Sequence, residues 1–300
     1  MIITVLSIVG PVILVVLAGY FYASRHKAQM GFIDRANMDV FVPALIFSAL
    51  TGNEWTLTLL GPLLIIAAAV ILLPGLLSLP LSRLLNLETR VVIPPIMFNN
   101  SGNLGIPLMV FAFGESVLPL AVLLFIVENT LHFTLGVAIV TQSKSWLTLA
   151  RSPIILATVL AIIFHEFALE MPLVLNRSIE LLGEVAIPLM LFGLGTRIRQ
   201  TDLSSMKLPF ISAICIPAVG LAAAYVAFWL VDTVFSDLAV SQLQQNMIWL
   251  YAVLPPAVLN YLVAERFLDC PVQKKQVAAL VLWGNITCVF PISIVLGLTL

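Results

Sequence analysis

Residues 93–107 read IPPIMFNNSGNLGIP and interrupt a segment that is otherwise apolar and long enough to cross a membrane. The stretch holds three prolines, two glycines, three asparagines and a serine. Proline removes a backbone donor and collides with the preceding turn, and glycine weakens a helix by about 1 kcal/mol relative to alanine. We therefore expect a broken helix, and its helix-breaking residues are Pro95, Gly102, Gly105 and Pro107.

The polar side chains of this break are candidate substrate ligands: Asn99, Asn100, Ser101 and Asn103. Irregular backbone at membrane depth persists only where protein or a water-filled cavity satisfies its polar groups. The N-terminus of a half-helix presents free N–H groups and partial positive charge, so it can hold an anion without Lys or Arg. The break thus predicts a site for a carboxylate. The alternative is that the prolines only kink packed helices.

A second break is predicted at residues 254–261, which read LPPAVLNY. Its helix-breaking residues are Pro255 and Pro256, and its candidate ligands are Asn260 and Tyr261. Two interrupted helices in corresponding places of two halves are the strongest sequence indication of a binding site near the middle of the membrane.

The two halves of the chain resemble each other in order. PVILVVLAGYF from Pro11 matches PIILATVLAIIF from Pro153, DVFVPALIF matches EVAIPLMLF, and PPIMFN matches PPAVLN. Weaker pairings align Asn129 with Asn285 and Pro62 with Pro209. We predict a repeat of five helices at 1–145 and another at 146–300. Because five is odd, the second repeat enters the membrane from the opposite side, as in many secondary transporters.

The composition supports a membrane protein. Of 300 residues, 61% are hydrophobic and 10% charged, whereas soluble domains carry roughly 25% charged residues. The net charge of −1 provides no basic field for nucleic acid. Segments of roughly 20 apolar residues are long enough to span. We predict an all-α protein with ten spans, at 2–23, 34–52, 57–82, 89–112, 117–141, 151–168, 178–196, 207–231, 244–266 and 273–298.

The distribution of Lys and Arg predicts the orientation. Of the 14 Lys and Arg residues, 13 lie in or beside the loops between spans 1–2, 3–4, 5–6, 7–8 and 9–10. The exception is Arg177. Basic residues favour the cytoplasmic side. We therefore expect a multi-pass protein of the plasma membrane, in bacteria the inner membrane, with both termini outside the cytoplasm.

One acidic residue, Glu128, lies deep in the fifth span. A charge there costs at least roughly 2.5–3.5 kcal/mol, so acidic residues inside spans usually have a function. Asn129 and Thr130 supply neighbouring oxygens, and His132 lies one turn away on the same face. We predict a proton or sodium coupling site formed by Glu128, Asn129, Thr130 and Asn285. The alternative is a neutral Glu128 that hydrogen-bonds to another helix.

NNSGNLGIPL at 99–108 together with PPAVLNYLVAERF at 255–267 resembles the auxin efflux carrier family, also called PIN-like transporters. The resemblance implies that the helices numbered 4 and 9 of the ten are broken and cross at midmembrane. It also implies a scaffold of helices 1, 2, 6 and 7, a mobile transport part of helices 3–5 and 8–10, elevator-like motion and a homodimer. By this resemblance Asn100 contacts the substrate, and Pro95 and Pro256 are the crossover prolines.

The chain differs from the plant members, which have a long cytoplasmic loop between their halves, because only residues 142–150 connect the halves here. It is more similar to short bacterial members, some associated with malonate or malate. We expect a secondary transporter of a small organic anion, with symport of a proton or sodium and with no other cofactor. A receptor or sensor on the same fold is the alternative. An enzyme or an ATP-driven pump is not expected, because catalytic, metal-binding and Walker motifs are missing from the sequence.

Overall fold

The structure is a computed structural model that describes residues 2–26, 31–51, 57–141, 153–200, 208, 211–234 and 240–300. It is 88% helical, and no β-strand occurs in these ranges, so the predicted all-α class is confirmed. The predicted boundary between the halves and the connection at 142–150 lie outside the described residues.

The helices follow one another in chain order with the following bounds: α1 (Ile2–Arg25), α2 (Gly31–Ala36), α3 (Val42–Thr51), α4 (Leu57–Leu84), α5 (Thr89–Met97), α6 (Ile106–Phe113), α7 (Leu118–Leu131), α8 (Val137–Thr141), α9 (Pro153–Glu166), α10 (Leu173–Gln200), α11 (Ile216–Val234), α12 (Gln242–Ala252), α13 (Leu259–Phe267), α14 (Pro271–Thr287) and α15 (Val289–Thr299). Single π-helical turns occupy Asn37–Phe41, Ser101–Gly105, His132–Gly136 and Ile211–Cys215, and a 3-10 turn occupies Glu115–Val117.

Within the described residues, four helices are long and apolar enough to cross a membrane: Leu63–Leu84, Glu115–Thr141, Leu173–Thr196 and Ile211–Thr233. A fifth span results if α14 and α15, which meet at 44°, count as one. Helix occupies part of each of the ten predicted segments. The chain is thus a multi-pass membrane protein, while its ten spans and inverted repeat stay predictions.

The bend between α14 and α15 differs from the continuous span predicted at 273–298. Pro291 lies in the first turn of α15. Its missing N–H removes one rung of the helical hydrogen-bond ladder, which accounts for a kink at this point. The bend follows the segment that packs beside the second break.

Helices α1, α3, α9 and α10 form one packed group. Glycines allow the backbones of α1 and α10 to meet, because a Cβ at Gly19 would lie 2.0 Å from the Phe192 carbonyl oxygen, and a Cβ at Gly195 would lie 1.8 Å from that of Val16. The rings of Phe47 on α3 and Phe164 on α9 pack edge to face at 5.4 Å.

The remaining long helices pack around the two breaks, which separate α5 from α6 and α12 from α13. α4 packs on α5, α7 and α11, and α14 packs on α5 and α13. At Gly220 of α11, a Cβ would lie 1.9 Å from the Ala252 carbonyl oxygen, so the end of α12 rests directly on α11. The close contact fixes the chain at the point where α12 ends and the second break begins.

Candidate functional site at the crossing of two helix breaks

The first break begins where α5 ends at Met97. Phe98 is extended, with φ −107° and ψ 106°, and Asn100 has φ −81° and ψ 54°. The helix resumes with the π turn Ser101–Gly105 and continues as α6. The prolines Pro94 and Pro95 lie in the last turns of α5, and Pro107 is the second residue of α6, directly after the π turn.

The predicted helix-breaking glycines serve close packing here. A Cβ at Gly102 would lie 2.6 Å from the Phe125 ring, and a Cβ at Gly105 would lie 2.7 Å from a methyl of Leu254. Any larger side chain at these two positions would push the first break away from α7 and from the second break.

The second break separates α12 from α13. Val253 leaves the helix with φ −103° and ψ 5°, and helix begins again at Leu259. Pro255 and Pro256 lie between these points and are buried. Gly284 of α14 faces this segment, because a Cβ there would lie 2.4 Å from Cδ of Pro256.

The two breaks pair with each other through their backbones. Asn99 and Pro256 form an isolated antiparallel bridge. The N–H of Asn100 donates to the Pro255 carbonyl at 2.7 Å, and the N–H of Ala257 donates to the Phe98 carbonyl at 2.9 Å. Each break therefore supplies partners for backbone groups that the other leaves without a helical partner, as irregular backbone in a membrane requires.

Asparagine side chains reinforce this crossing. Nδ2 of Asn99 donates to the Tyr251 carbonyl at 3.0 Å, and Nδ2 of Asn260 donates to the Phe98 carbonyl at 2.9 Å. Nδ2 of Asn100 donates to Oδ1 of Asn285 at 2.9 Å, while Nδ2 of Asn285 donates to the Pro256 carbonyl at 2.9 Å. These amides tie the two breaks and α14 together.

A cavity of about 130 Å³ lies beside the crossing. Its walls come from both breaks, from the segment around Glu128, and from α10 and the turn at residue 37. The lining residues are Asn37, Met38, Asn99, Asn100, Ser101, Gly102, Asn103, Phe125, Glu128, Asn129, His132, Met190, Ala257, Val258 and Leu259. Two predicted substrate ligands, Asn260 and Tyr261, lie outside this lining, as do Thr130 and Asn285.

Three π-helical turns begin at residues that line this cavity: Asn37, Ser101 and His132. An extra residue in a helical turn re-aims neighbouring side chains, and π turns are frequent at functional sites. The three turns come from separate parts of the chain, and the cavity is where they meet.

Glu128 is buried, with 2% of its surface exposed. The hydroxyl of Ser101 donates a hydrogen bond to Oε2 of Glu128. The Tyr251 side chain lies near Glu128, and its buried hydroxyl has no hydrogen-bond partner among the described residues. The carboxyl group of Glu128 thus lies between the first break and the helix that precedes the second.

Other buried polar atoms around the site also lack a hydrogen-bond partner within the described residues: Asn37 Oδ1, His132 Nε2 and Asn260 Oδ1. The His132 ring stacks on Phe98, with ring centroids 4.2 Å apart and planes 9° apart. Buried polar atoms without partners are rare in folded proteins and call for an explanation such as a bound group.

Asn37, His132 and Tyr251 are site residues that the candidate set from the sequence omitted. His132 had a signal, because it lies one turn from Glu128 on the same helix face. Tyr251 lies four residues before Pro255, at the end of the helix that leads into the second break. Asn37 had no signal in the sequence, since its turn comes to the cavity through packing against α10, which is distant in the chain.

A larger, open depression of about 480 Å³ lies at the connection between α4 and α5, among residues 82–90. Its charged groups include Arg90 and Glu88, which pair with each other at 2.7 Å. None of the predicted site residues lies there, so the smaller cavity at the crossing is the candidate site.

Comparison with known proteins identifies the family of this chain. No curated protein matches the chain significantly. Residues 137–296, slightly more than half of the 300, match a family described as membrane transport protein. The matched range contains the second break and the helices around it. This is a family of transporters and not of enzymes. The resemblance seen in the sequence is confirmed: the chain belongs to the membrane transport protein family, which contains the auxin efflux carriers and the PIN-like transporters.

Proposed function

We propose that this membrane transport protein is a secondary transporter that moves a small organic anion, a mono- or dicarboxylate, by an elevator-like motion. The observation that carries the proposal is the convergence of two helix starts on one cavity. Ser101–Asn103 begin the helix after the first break, Ala257–Leu259 lead into α13, and both segments line the cavity. The first N–H groups of a helix have no partner within it, and the helix dipole favours an anion there.

The size of the cavity supports a small ligand. No Lys or Arg is found among the lining residues that the structure describes, so a bound carboxylate would depend on N–H groups and amides. About 130 Å³ is less than the pockets of drug-sized ligands, which start at roughly 300 Å³. A carboxylate of a few carbon atoms suits this space.

The proposed architecture is ten spans in two inverted five-helix repeats, 1–145 and 146–300. The reciprocal contacts of Asn99 and Asn260 support it, because each asparagine lies five residues after the first proline of its own break and donates to a carbonyl of the other half. Two inverted repeats that cross at their breaks would produce contacts of this kind.

The elevator motion has a structural basis in two packed groups. The scaffold would be the group of α1, α3, α9 and α10, which supplies Met190 and, through the turn before α3, Asn37 and Met38. The crossing and Glu128 would belong to the mobile part. Because the cavity lies between these groups, sliding one past the other would carry the bound anion from one side of the membrane to the other.

Orientation, assembly and coupling complete the proposal. The chain would lie in the plasma membrane, the inner membrane in bacteria, with both termini outside the cytoplasm, and it would form a homodimer. A proton or sodium ion would be coupled at Glu128, with Asn129 and Thr130 nearby.

The experiment is uptake into proteoliposomes. The purified chain would be screened with labelled mono- and dicarboxylates, against liposomes without protein and against the Asn176→Ala variant, whose change lies far from the cavity. We expect saturable uptake of at least one carboxylate by both protein samples. Tight binding without uptake would favour the receptor instead. If the chain neither binds nor takes up any carboxylate, the proposal is contradicted.

A further inference from the structure

We infer that the transported anion is a hydroxycarboxylate, and that Oδ1 of Asn37 accepts the hydrogen bond of its hydroxyl group. This inference rests on the proposed function and names the substrate class of the same cavity.

The side chain of Asn37 is buried at the cavity without a partner. Only 6% of its surface is exposed, and its Oδ1 atom has no hydrogen-bond partner within the described residues. A buried acceptor without a donor costs stability, so an atom of this kind calls for a group that binds it. Because an amide oxygen can only accept, that group must carry an O–H or N–H donor.

The wall that contains Asn37 has no other polar side chain to offer a ligand. The π turn Asn37–Phe41 packs on α3, α9 and α10, so it belongs to the group proposed as the scaffold. Met38 and Met190 line the cavity beside Asn37, and a thioether is a weak acceptor that cannot donate. The Asn37 amide is therefore the group with which this wall can recognise a polar part of the substrate.

The asparagines of the other walls are held by the protein through their nitrogens. Nδ2 of Asn99 and Nδ2 of Asn129 each donate to a backbone carbonyl at 3.0 Å. Nδ2 of Asn100 donates to Oδ1 of Asn285 at 2.9 Å. Since these oxygens only accept, the contacts fix each amide with its nitrogen on the protein and leave its own oxygen for a ligand. The lining is thus rich in acceptors, which suits a substrate that has a donor besides its carboxylate.

A hydroxycarboxylate matches both kinds of group in the cavity. The helix starts at Ser101–Asn103 and Ala257–Leu259 offer N–H groups to a carboxylate, whereas Asn37 offers an oxygen to a hydroxyl. The volume of about 130 Å³ lets a molecule of a few carbon atoms reach both. An acid without the hydroxyl would leave Oδ1 of Asn37 unpaired, and sites built for a hydroxyl discriminate strongly against such analogues.

The test uses pairs of labelled acids that differ by one hydroxyl group: lactate against propionate, and tartronate against malonate. Their dissociation constants would be measured on the purified full chain in detergent micelles. We expect the hydroxylated acid to bind at least about tenfold more tightly in the pair that the chain accepts. Alanine, which has an ammonium group in the place of the hydroxyl of lactate, should bind more weakly than lactate.

Two variants connect this preference to Asn37. Asn37→Leu has a similar size and no acceptor, so the hydroxyl preference should fall to about one. Stability of the ligand-free variant should not decrease, because the substitution removes a buried oxygen that has no partner. Asn37→Asp keeps an acceptor oxygen, so it should retain the preference although its charge weakens binding of both acids. Asn176→Leu, a matched change far from the cavity, should keep both affinity and preference.

Three results would overturn the inference alone: wild-type binding of carboxylates without a hydroxyl preference in either pair, tighter binding of alanine than of lactate, or a hydroxyl preference that survives in Asn37→Leu. If neither Asn37 variant folds, the amide supports the fold, and the role assigned to Asn37 is overturned. If the wild-type chain neither binds nor takes up any labelled carboxylate, the proposed function itself is overturned.

Discussion

Asn260 donates a hydrogen bond from Nδ2 to the backbone carbonyl of Phe98 at 2.9 Å, across 162 positions of the chain. The same carbonyl accepts the N–H of Ala257, and Asn99 makes the converse contact with the Tyr251 carbonyl. The asparagines of the two breaks therefore hold the crossing together, in addition to any role toward a ligand. Variants of these asparagines must therefore be tested for stability as well as for ligand binding.

Asn260→Ala should destabilise the fold, because it removes a buried donor to two carbonyls, those of Phe98 and Ala257. We expect a loss of about 1–3 kcal/mol in the free energy of unfolding. Denaturation in mixed detergent micelles measures it. Asn176→Ala, which removes an exposed contact to Glu180, is the matched control and should change stability by less than about 0.5 kcal/mol. Equal stability of both variants would contradict the structural role of Asn260.

Asn100 and Asn285 should behave as one energetic unit. Their side chains contact each other directly at 2.9 Å, so either single alanine substitution breaks the same hydrogen bond. We expect a coupling energy of about 0.5–3 kcal/mol in a double-mutant cycle of unfolding. Additive effects of Asn100→Ala and Asn285→Ala would show that this contact is not formed. Substrate affinity of Asn100→Ala, measured on folded protein, tests separately whether Asn100 also contacts the substrate.

The packing of α1 on α10 should depend on glycine at two positions. Gly19→Ala or Gly195→Ala would place a methyl group within 2.0 Å of a backbone oxygen of the other helix, and backbone cannot move aside easily. We expect each to cost about 1–3 kcal/mol of stability. Gly10→Ala lies on the same helix as Gly19 with no atom within 4 Å of the added methyl, and it should be neutral or stabilising. Indistinguishable unfolding of the three variants would refute the close approach of the helices.

Much of the crossing follows from local chemistry that a sequence shows. Pro95, Pro107, Pro255 and Pro256 lack backbone donors whatever surrounds them, so both interruptions could be predicted. The partners of the polar groups could not, because Asn285 reaches the crossing, and Asn37 the cavity, only through contacts between distant segments. For the same reason Asn99 and Asn260, predicted only as ligands, have amides that bind backbone carbonyls.

The central claim is that the anion binds in the cavity between the two breaks, and Asn103 offers a direct test. Asn103 lines the cavity. The test uses single-cysteine variants in a background whose own cysteines, Cys215, Cys270 and Cys288, are replaced by alanine. In this background Asn103→Cys would be alkylated by a maleimide with and without the transported carboxylate, and Ser116→Cys, at an exposed turn, would be the control. We predict that the carboxylate slows alkylation of the Asn103→Cys protein, with half-protection near the concentration that half-saturates its uptake, and leaves the Ser116→Cys protein unaffected. Unchanged alkylation of Asn103→Cys at a concentration that saturates uptake would contradict the account.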